Sequence, residues 1–334
     1  MLQGVLFFPV TPFAVDGSVD TAKLSIHLES GIEAGAGGVF VACGTGEFHA
    51  LGVQEFASVV RTAVEVAGGR VPVFAGAGGS LPLARQYARA AQEAGADGLL
   101  LMPPYLVAGP PAGLVAYVRQ VVAASSLPVI VYQRGTARFD VASALEVARL
   151  PQVVGLKDGT GDLDLLGRIV TAVRADPATG GSGFQFFNGM PTAEGTVLAY
   201  RGIGVGLYSS AVFCFAPEIA LAFHRAVTAG DDEVVQRLLA GFFHPLIALR
   251  DRVPGYSVAL IKAGVRLRGL DVGGVRPPLT DPAPEDLAEL EALIAKGPAL
   301  VTEARPADDA GDAGDAGEAD RTPAAAAAAQ AVAR

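Results

Sequence analysis

Lysine is scarce in this chain: only Lys23, Lys157, Lys262 and Lys296 occur among 334 residues. Cysteine is scarcer still, and Cys43 and Cys214 alone cannot supply a disulfide framework. The four histidines, at 27, 49, 224 and 244, show no metal-ligand spacing, so no metal is expected. No apolar run approaches the roughly 18 residues that a membrane-crossing helix needs, which excludes a membrane partner of that kind. Acidic residues outnumber basic ones, 34 against 25, and the resulting net charge of -9 argues against nucleic-acid binding, which needs clustered cations to neutralise phosphates. The opening residues, Gly4-Val5-Leu6-Phe7-Phe8-Pro9, carry neither a basic leader nor a small-residue cleavage site. No export signal is expected, and the cytoplasm is the expected location.

What the chain does have is apolar residues, 51% of the total, arranged in a repeating pattern. Short apolar runs recur at residues 5–8, 38–41, 71–75, 98–102, 129–132, 153–156, 184–187 and 204–208. Their near-continuous apolarity is what a parallel strand buried on both faces requires. Stretches of helical spacing lie between them, as at Gln54 to Ala67, Leu83 to Ala94 and Leu163 to Val173. Eight strand-then-helix units predict an α/β fold, a closed (β/α)8 TIM barrel, over residues 1–230. Helical segments near Asp232 to Leu249, Ser257 to Leu267 and Pro284 to Ala295 predict a helical C-terminal extension over residues 231–302. Residues 303–334 collapse to Ala, Asp, Gly, Glu and Pro, too little apolar bulk to offset the entropy of ordering, so a disordered tail is expected.

In a barrel of this kind, chemistry gathers at the C-terminal ends of the strands. Lys157 stands at the end of the sixth, in Val153-Val154-Gly155-Leu156-Lys157-Asp158-Gly159. A buried amine there loses solvation, which disfavours its charged form and makes it a nucleophile toward ketones; a lysine that merely ends the strand with a charge is the alternative. The second strand ends at Cys43-Gly44-Thr45-Gly46-Glu47, where glycines expose backbone N–H groups and Thr45 adds a hydroxyl. A helix from about Gly52 would reinforce an anion site with its free N–H groups. Glu47 reads as structural. The fifth strand ends at Tyr132-Gln133-Arg134-Gly135, a phenol for proton transfer and a guanidinium suited to a carboxylate. Asn188, after the seventh strand, and Ser209, at the eighth, offer hydrogen bonds to substrate hydroxyls or cap the helices that follow. Period-two geometry aims Asp158 away from Lys157. For Lys262, in an apolar helical context, packing or an ion pair is the better reading.

Phe8-Pro9-Val10-Thr11-Pro12-Phe13, Cys43-Gly44-Thr45-Gly46-Glu47, Tyr132 and Gly155-Leu156-Lys157-Asp158 together resemble the dihydrodipicolinate synthase and N-acetylneuraminate lyase superfamily, over about residues 3 to 298. The resemblance implies class I chemistry on 2-keto acids, with Lys157 as the Schiff-base lysine and Tyr132 as the proton-transfer phenol. It also implies that Gly44 and Thr45 bind the carboxylate beside the ketone, and that the protein is a homo-oligomer, usually a tetramer. Tyr105 matches the position that reaches a neighbouring active site.

Finer matches, among them Tyr132-Gln133-Arg134-Gly135, Tyr208-Ser209-Ser210-Ala211-Val212-Phe213, Gly255-Tyr256-Ser257 and Val275-Arg276-Pro277-Pro278-Leu279-Thr280, resemble the 5-dehydro-4-deoxyglucarate dehydratase family. That family has Asn where this chain has Gln133, and Gly where it has Cys43. The dihydrodipicolinate synthases have a relay threonine where this chain has Gly44. The expected partner is therefore a keto-deoxy sugar diacid, with its far end near Arg134, Asn188 and Ser209, and no cofactor is expected. An aldolase acting on 2-keto-3-deoxy sugar acids and a noncatalytic sugar-acid-binding paralogue are the alternatives.

Overall fold

The computed structural model describes residues 1–104, 107–179 and 183–302, so the expectations for Tyr105 and for the tail from 303 lie outside the described residues. Eight parallel strands close on themselves in chain order: β1 (Leu6–Phe7), β2 (Gly38–Val41), β3 (Val73–Ala77), β4 (Gly98–Leu101), β5 (Val129–Arg134), β6 (Val153–Gly159), β7 (Gln185–Asn188) and β8 (Leu207–Ser210). Strand β8 pairs with β1, which closes the barrel. The strands are almost wholly buried, as their unbroken apolar runs required.

The helices of the barrel are α1 (Thr21–Glu33), α2 (Val53–Ala67), α3 (Leu81–Glu93), α4 (Pro111–Val122), α5 (Val141–Ala148), α6 (Leu163–Ala175), α7 (Val197–Gly202) and α8 (Pro217–Ala229). Several begin where an aspartate accepts a backbone N–H of the first turn: Asp20 for α1, Asp140 for α5 and Asp162 for α6. Each such side chain satisfies one of the donors that a helix start leaves free.

Helices α9 (Asp232–Leu238), α10 (His244–Arg250), α11 (Tyr256–Leu267) and α12 (Pro284–Thr302) form the C-terminal extension. A widened turn over Leu239–Phe243 joins α9 to α10. Pro245 follows it and lacks the N–H that a regular turn would use there. The Tyr256 hydroxyl donates to Asp286 (2.9 Å) and Arg252 reaches the same carboxylate (2.7 Å), which ties α11 to α12.

Register fixes what faces the barrel axis. Tyr132 lies opposite Lys157 and Gln133 opposite Asp158 across β5 and β6, while Lys157 and Asp158 lie opposite Phe187 and Asn188 across β6 and β7. Because side chains alternate along a strand, Tyr132, Lys157 and Phe187 share the inner face and Gln133, Asp158 and Asn188 the outer one. Leu6, Phe40, Leu100, Ile130 and Phe187 fill the interior beneath Lys157. The Phe8 ring stacks on Phe40 at 4.6 Å, and Phe40 stacks on Phe74 at 5.0 Å. This leaves an apolar floor under the strand ends.

Candidate active site

A cavity of about 530 Å³ opens at the C-terminal ends of the strands. Lys157, Tyr132, Arg134, Gly44, Thr45 and Ser209 all line it, so six of the seven residues picked out from the sequence meet there. Asn188 does not. Its amide donates to the Ala193 carbonyl (3.1 Å) and the Thr196 hydroxyl (2.8 Å), and its oxygen accepts from the Met190 N–H (3.0 Å). The side chain is spent on the loop after β7, consistent with its outward register.

Lys157 is 6% exposed. Its Nζ lies 4.0 Å from the centre of the Phe8 ring and 4.9 Å from that of Tyr132. Burial brings the amine down from 10.5 to about 7, with the Arg134 charge pushing in the same direction. Near neutral pH a large fraction of this amine is therefore unprotonated, the form that attacks a carbonyl. Cys43 is buried beside it with its thiol pushed up to about 12 by burial, so it stays a neutral thiol. In borohydride trapping with pyruvate under limiting time, adduct formation is expected to rise about tenfold per unit below pH 7 and to level off above it. A profile still climbing at pH 9 would mean an ordinary, solvated lysine.

The Tyr132 hydroxyl donates to the Gly189 carbonyl (2.8 Å), and Arg134 approaches that hydroxyl at 3.4 Å. Burial raises the phenol above its usual range, partly offset by Arg134, so it is a proton donor at rest. Two glycines make room for the pair. A Cβ on Gly189 would fall 2.7 Å from Lys157 Cε, and one on Gly159 would fall 2.8 Å from the Tyr132 hydroxyl oxygen. The backbone must pass that close for both side chains to reach the cavity.

Behind the strands Asp158 gathers donors. It accepts from Gln133 Nε2 (2.8 Å), from the Thr160 hydroxyl (2.6 Å) and from the Tyr200 hydroxyl (2.5 Å). The outward aim expected of Asp158 is what the structure has, and its bond to Gln133 ties β5 to β6 directly behind Tyr132 and Lys157.

Gly44 and Thr45 form the opposite wall. Among the described residues their backbone N–H groups and the Thr45 hydroxyl have no hydrogen-bond acceptor, so three donors are left unpaired on residues that line the cavity. A Cβ on Gly44 would meet nothing within 4 Å, so the missing side chain leaves open space. The start of α2 does not contribute as the sequence suggested. Glu55 accepts from the Gly52 N–H (3.0 Å) and from Arg276, and residues 52–55 do not line the cavity. A short turn, Phe48–Ala50, intervenes and carries the helix away.

Sequence reasoning gave no role to the wall supplied by the extension. Leu246 and Arg250 of α10 and Tyr256, Ser257, Leu260 and Ile261 of α11 line the cavity. Gly255-Tyr256-Ser257 was visible as a motif, but only tertiary packing shows where it goes. Arg250 donates to the Pro191 carbonyl (2.7 Å) and the Thr192 hydroxyl (2.9 Å) and pairs with Asp251, so it fastens the loop after β7. Arg134 is the freer cation. Among the described residues no group of His, Cys, Asp and Glu is placed to hold a metal, and no helix is long and apolar enough to cross a membrane.

The sequence model of the Dihydrodipicolinate synthetase family matches residues 1–296. A protein of Streptomyces coelicolor named "Probable 5-dehydro-4-deoxyglucarate dehydratase 1" is 60% identical over 301 residues, covering 90% of this chain and 95% of its own. A protein of Bradyrhizobium diazoefficiens named "Probable 5-dehydro-4-deoxyglucarate dehydratase" is 44% identical, covering 92% and 96%. Among solved structures, dihydrodipicolinate synthase from Oceanobacillus iheyensis superposes with a TM-score of 0.78 at 27% identity, covering 87% of this chain and 95% of that one.

Proposed function

The chain belongs to the dihydrodipicolinate synthetase family, and from that membership we propose that it converts 5-dehydro-4-deoxy-D-glucarate to 2,5-dioxopentanoate with loss of one water and one carbon dioxide. The observation that carries the reading is the buried Lys157 amine, lowered to about 7, beside the Tyr132 phenol and facing the free donors of Gly44 and Thr45. The relatives bearing the dehydratase name supply the substrate.

Lys157 Nζ adds to the ketone carbon, and Tyr132 supplies a proton as the carbinolamine loses water to give the imine. The imine nitrogen then serves as an electron sink, which acidifies the adjacent methylene. Loss of that proton expels the neighbouring hydroxyl, and hydrolysis of the imine later returns the water of its formation. The product keeps its 2-keto acid, so the carboxylate lost as carbon dioxide is the distal one. Gly44 and Thr45 bind the retained carboxylate, and Arg134 and Ser209 lie toward the far end. In place of the relay threonine of the dihydrodipicolinate synthases, Gly44 leaves space and no hydroxyl, which disfavours that activity here. By the family resemblance the enzyme is a cytoplasmic homo-oligomer, a tetramer.

Incubation with the keto-deoxy diacid tests the reading. Carbon dioxide and 2,5-dioxopentanoate in equal amounts are expected; pyruvate released without carbon dioxide would instead identify an aldolase.

A further inference from the structure

The loop that carries Gly44 and Thr45 is held in a conformation its own residues disfavour. Ala42 (φ 48°) and Glu47 (φ 55°) both sit in the left-handed region without being glycine, where a Cβ crowds the backbone. Such a conformation persists only when its surroundings fix it. Part of the fixing is local: the Thr11 hydroxyl donates to the Gly46 carbonyl (2.7 Å). The remainder comes from the C-terminal extension.

Glu47 is fully buried, and its Oε1 lies 2.7 Å from the equally buried Nζ of Lys262 on α11. Its other oxygen accepts the Arg276 backbone N–H (2.8 Å). Lys262 Nζ also donates to the Gly274 carbonyl (2.7 Å) and lies 4.0 Å over the Phe13 ring. The Arg276 guanidinium then reaches the Ala50 carbonyl (2.7 Å), on the far side of the same loop. A pair this deeply buried adds little net stability over an apolar pair of similar size, so its worth lies in what it positions. Helix α11 also brings Tyr256, Ser257 and Ile261 to the cavity wall. One helix therefore builds the far wall and anchors the near one.

We infer that Glu47 and Lys262 are positioning residues for the substrate, holding the Gly44–Thr45 donors at the height of the Lys157 imine so that the keto-acid carboxylate docks in register. The inference rests on the reading that this loop binds that carboxylate.

Lys262→Met removes the cation while keeping the length of the side chain. The KM for the keto-deoxy diacid and the pyruvate concentration for half-maximal borohydride trapping are both expected to rise about tenfold, with kcat at saturation within about threefold of the parent. A general loss of packing would lower kcat and melting temperature without that joint shift. Lys262→Met strands a buried carboxylate, so Glu47→Gln/Lys262→Met, which leaves no unpaired charge, is measured beside it with the same expectation. Folded variants with both concentrations unchanged, or with kcat alone reduced, would overturn the inference. Thr45→Ala separates it from the reading beneath it. If Thr45→Ala raises both concentrations and the pair variants do not, the positioning role is wrong; if Thr45→Ala raises neither, the loop is not the carboxylate site.

Discussion

Replacing Lys157 by methionine is expected to reduce turnover below about one ten-thousandth and, at the same time, to make the protein more stable. The first effect follows from losing the only atom that forms the imine, since nothing nearby substitutes for a covalent nucleophile. The borohydride adduct on residue 157 should disappear with it. The second effect follows from burial. The folded protein holds this amine near 7 against 10.5 for a solvated lysine, so protonating it in the fold costs on the order of 5 kcal/mol that the unfolded chain does not bear. Below pH 7 the amine is charged in both states and the folded one carries the whole penalty. Between about 7 and 10.5 the unfolded chain binds the extra proton, so parent stability climbs with pH across that window. Lys157→Met escapes this dependence. Its advantage in melting temperature, roughly 5 °C or more, should be largest below pH 7 and should shrink toward pH 10. Melting curves at pH 6 and pH 9.5 check the sign. A variant less stable than the parent at pH 6 would mean that the amine carries no burial penalty.

Tyr132→Phe should cost roughly a hundred- to ten-thousand-fold in kcat, the usual worth of a positioned proton donor. The phenol is held by the Gly189 carbonyl, so the variant loses one hydrogen bond and leaves that carbonyl unpaired, at about 1–3 kcal/mol of stability. Lys157 remains intact, and slow adduct formation with pyruvate should therefore persist in Tyr132→Phe while vanishing in Lys157→Met. Equal rates in Tyr132→Phe and the parent would remove the phenol from the proton path.

The barrel was legible because each strand is apolar on both faces, a pattern that little else produces in eight repeats. Its edges were less so. The eighth apolar run, 204–208, begins in a turn, with Gly204 at φ 83°, and the strand itself is Leu207–Ser210, where polar Ser209 and Ser210 pair with β1. Helix α12 was expected to stop near Ala295, before Lys296-Gly297-Pro298, yet it runs to Thr302. Gly297 is there for close packing, since a Cβ would fall 2.2 Å from Ile219 Cδ1, and that contact outweighs its weak helix preference.

In the site, position alone left Lys157 and Tyr132 open between catalytic and plain structural roles, and the family resemblance supplied the catalytic expectation; the structure brings both to the cavity. Asn188 was not placed correctly, although the signal existed. Phe187 faces inward with Lys157, and alternation then turns Asn188 outward beside Asp158. The wall from α10 and α11 was beyond reach, because no periodicity tells which part of the barrel mouth a distant helix will cover. For the same reason Lys262 read only as a packing or ion-pair lysine, which it is, without its partner Glu47.

The stacked rings of Phe8, Phe40 and Phe74 also bear on handedness. An imine on Lys157 would rest on hydrocarbon, with Leu6, Leu100 and Ile130 beneath it. Such a surface neither gives nor takes a proton. Exchange at the carbon next to the imine is thereby confined to the face turned toward the mouth, and the methylene beside the ketone of product formed in heavy water should carry deuterium on one prochiral side only.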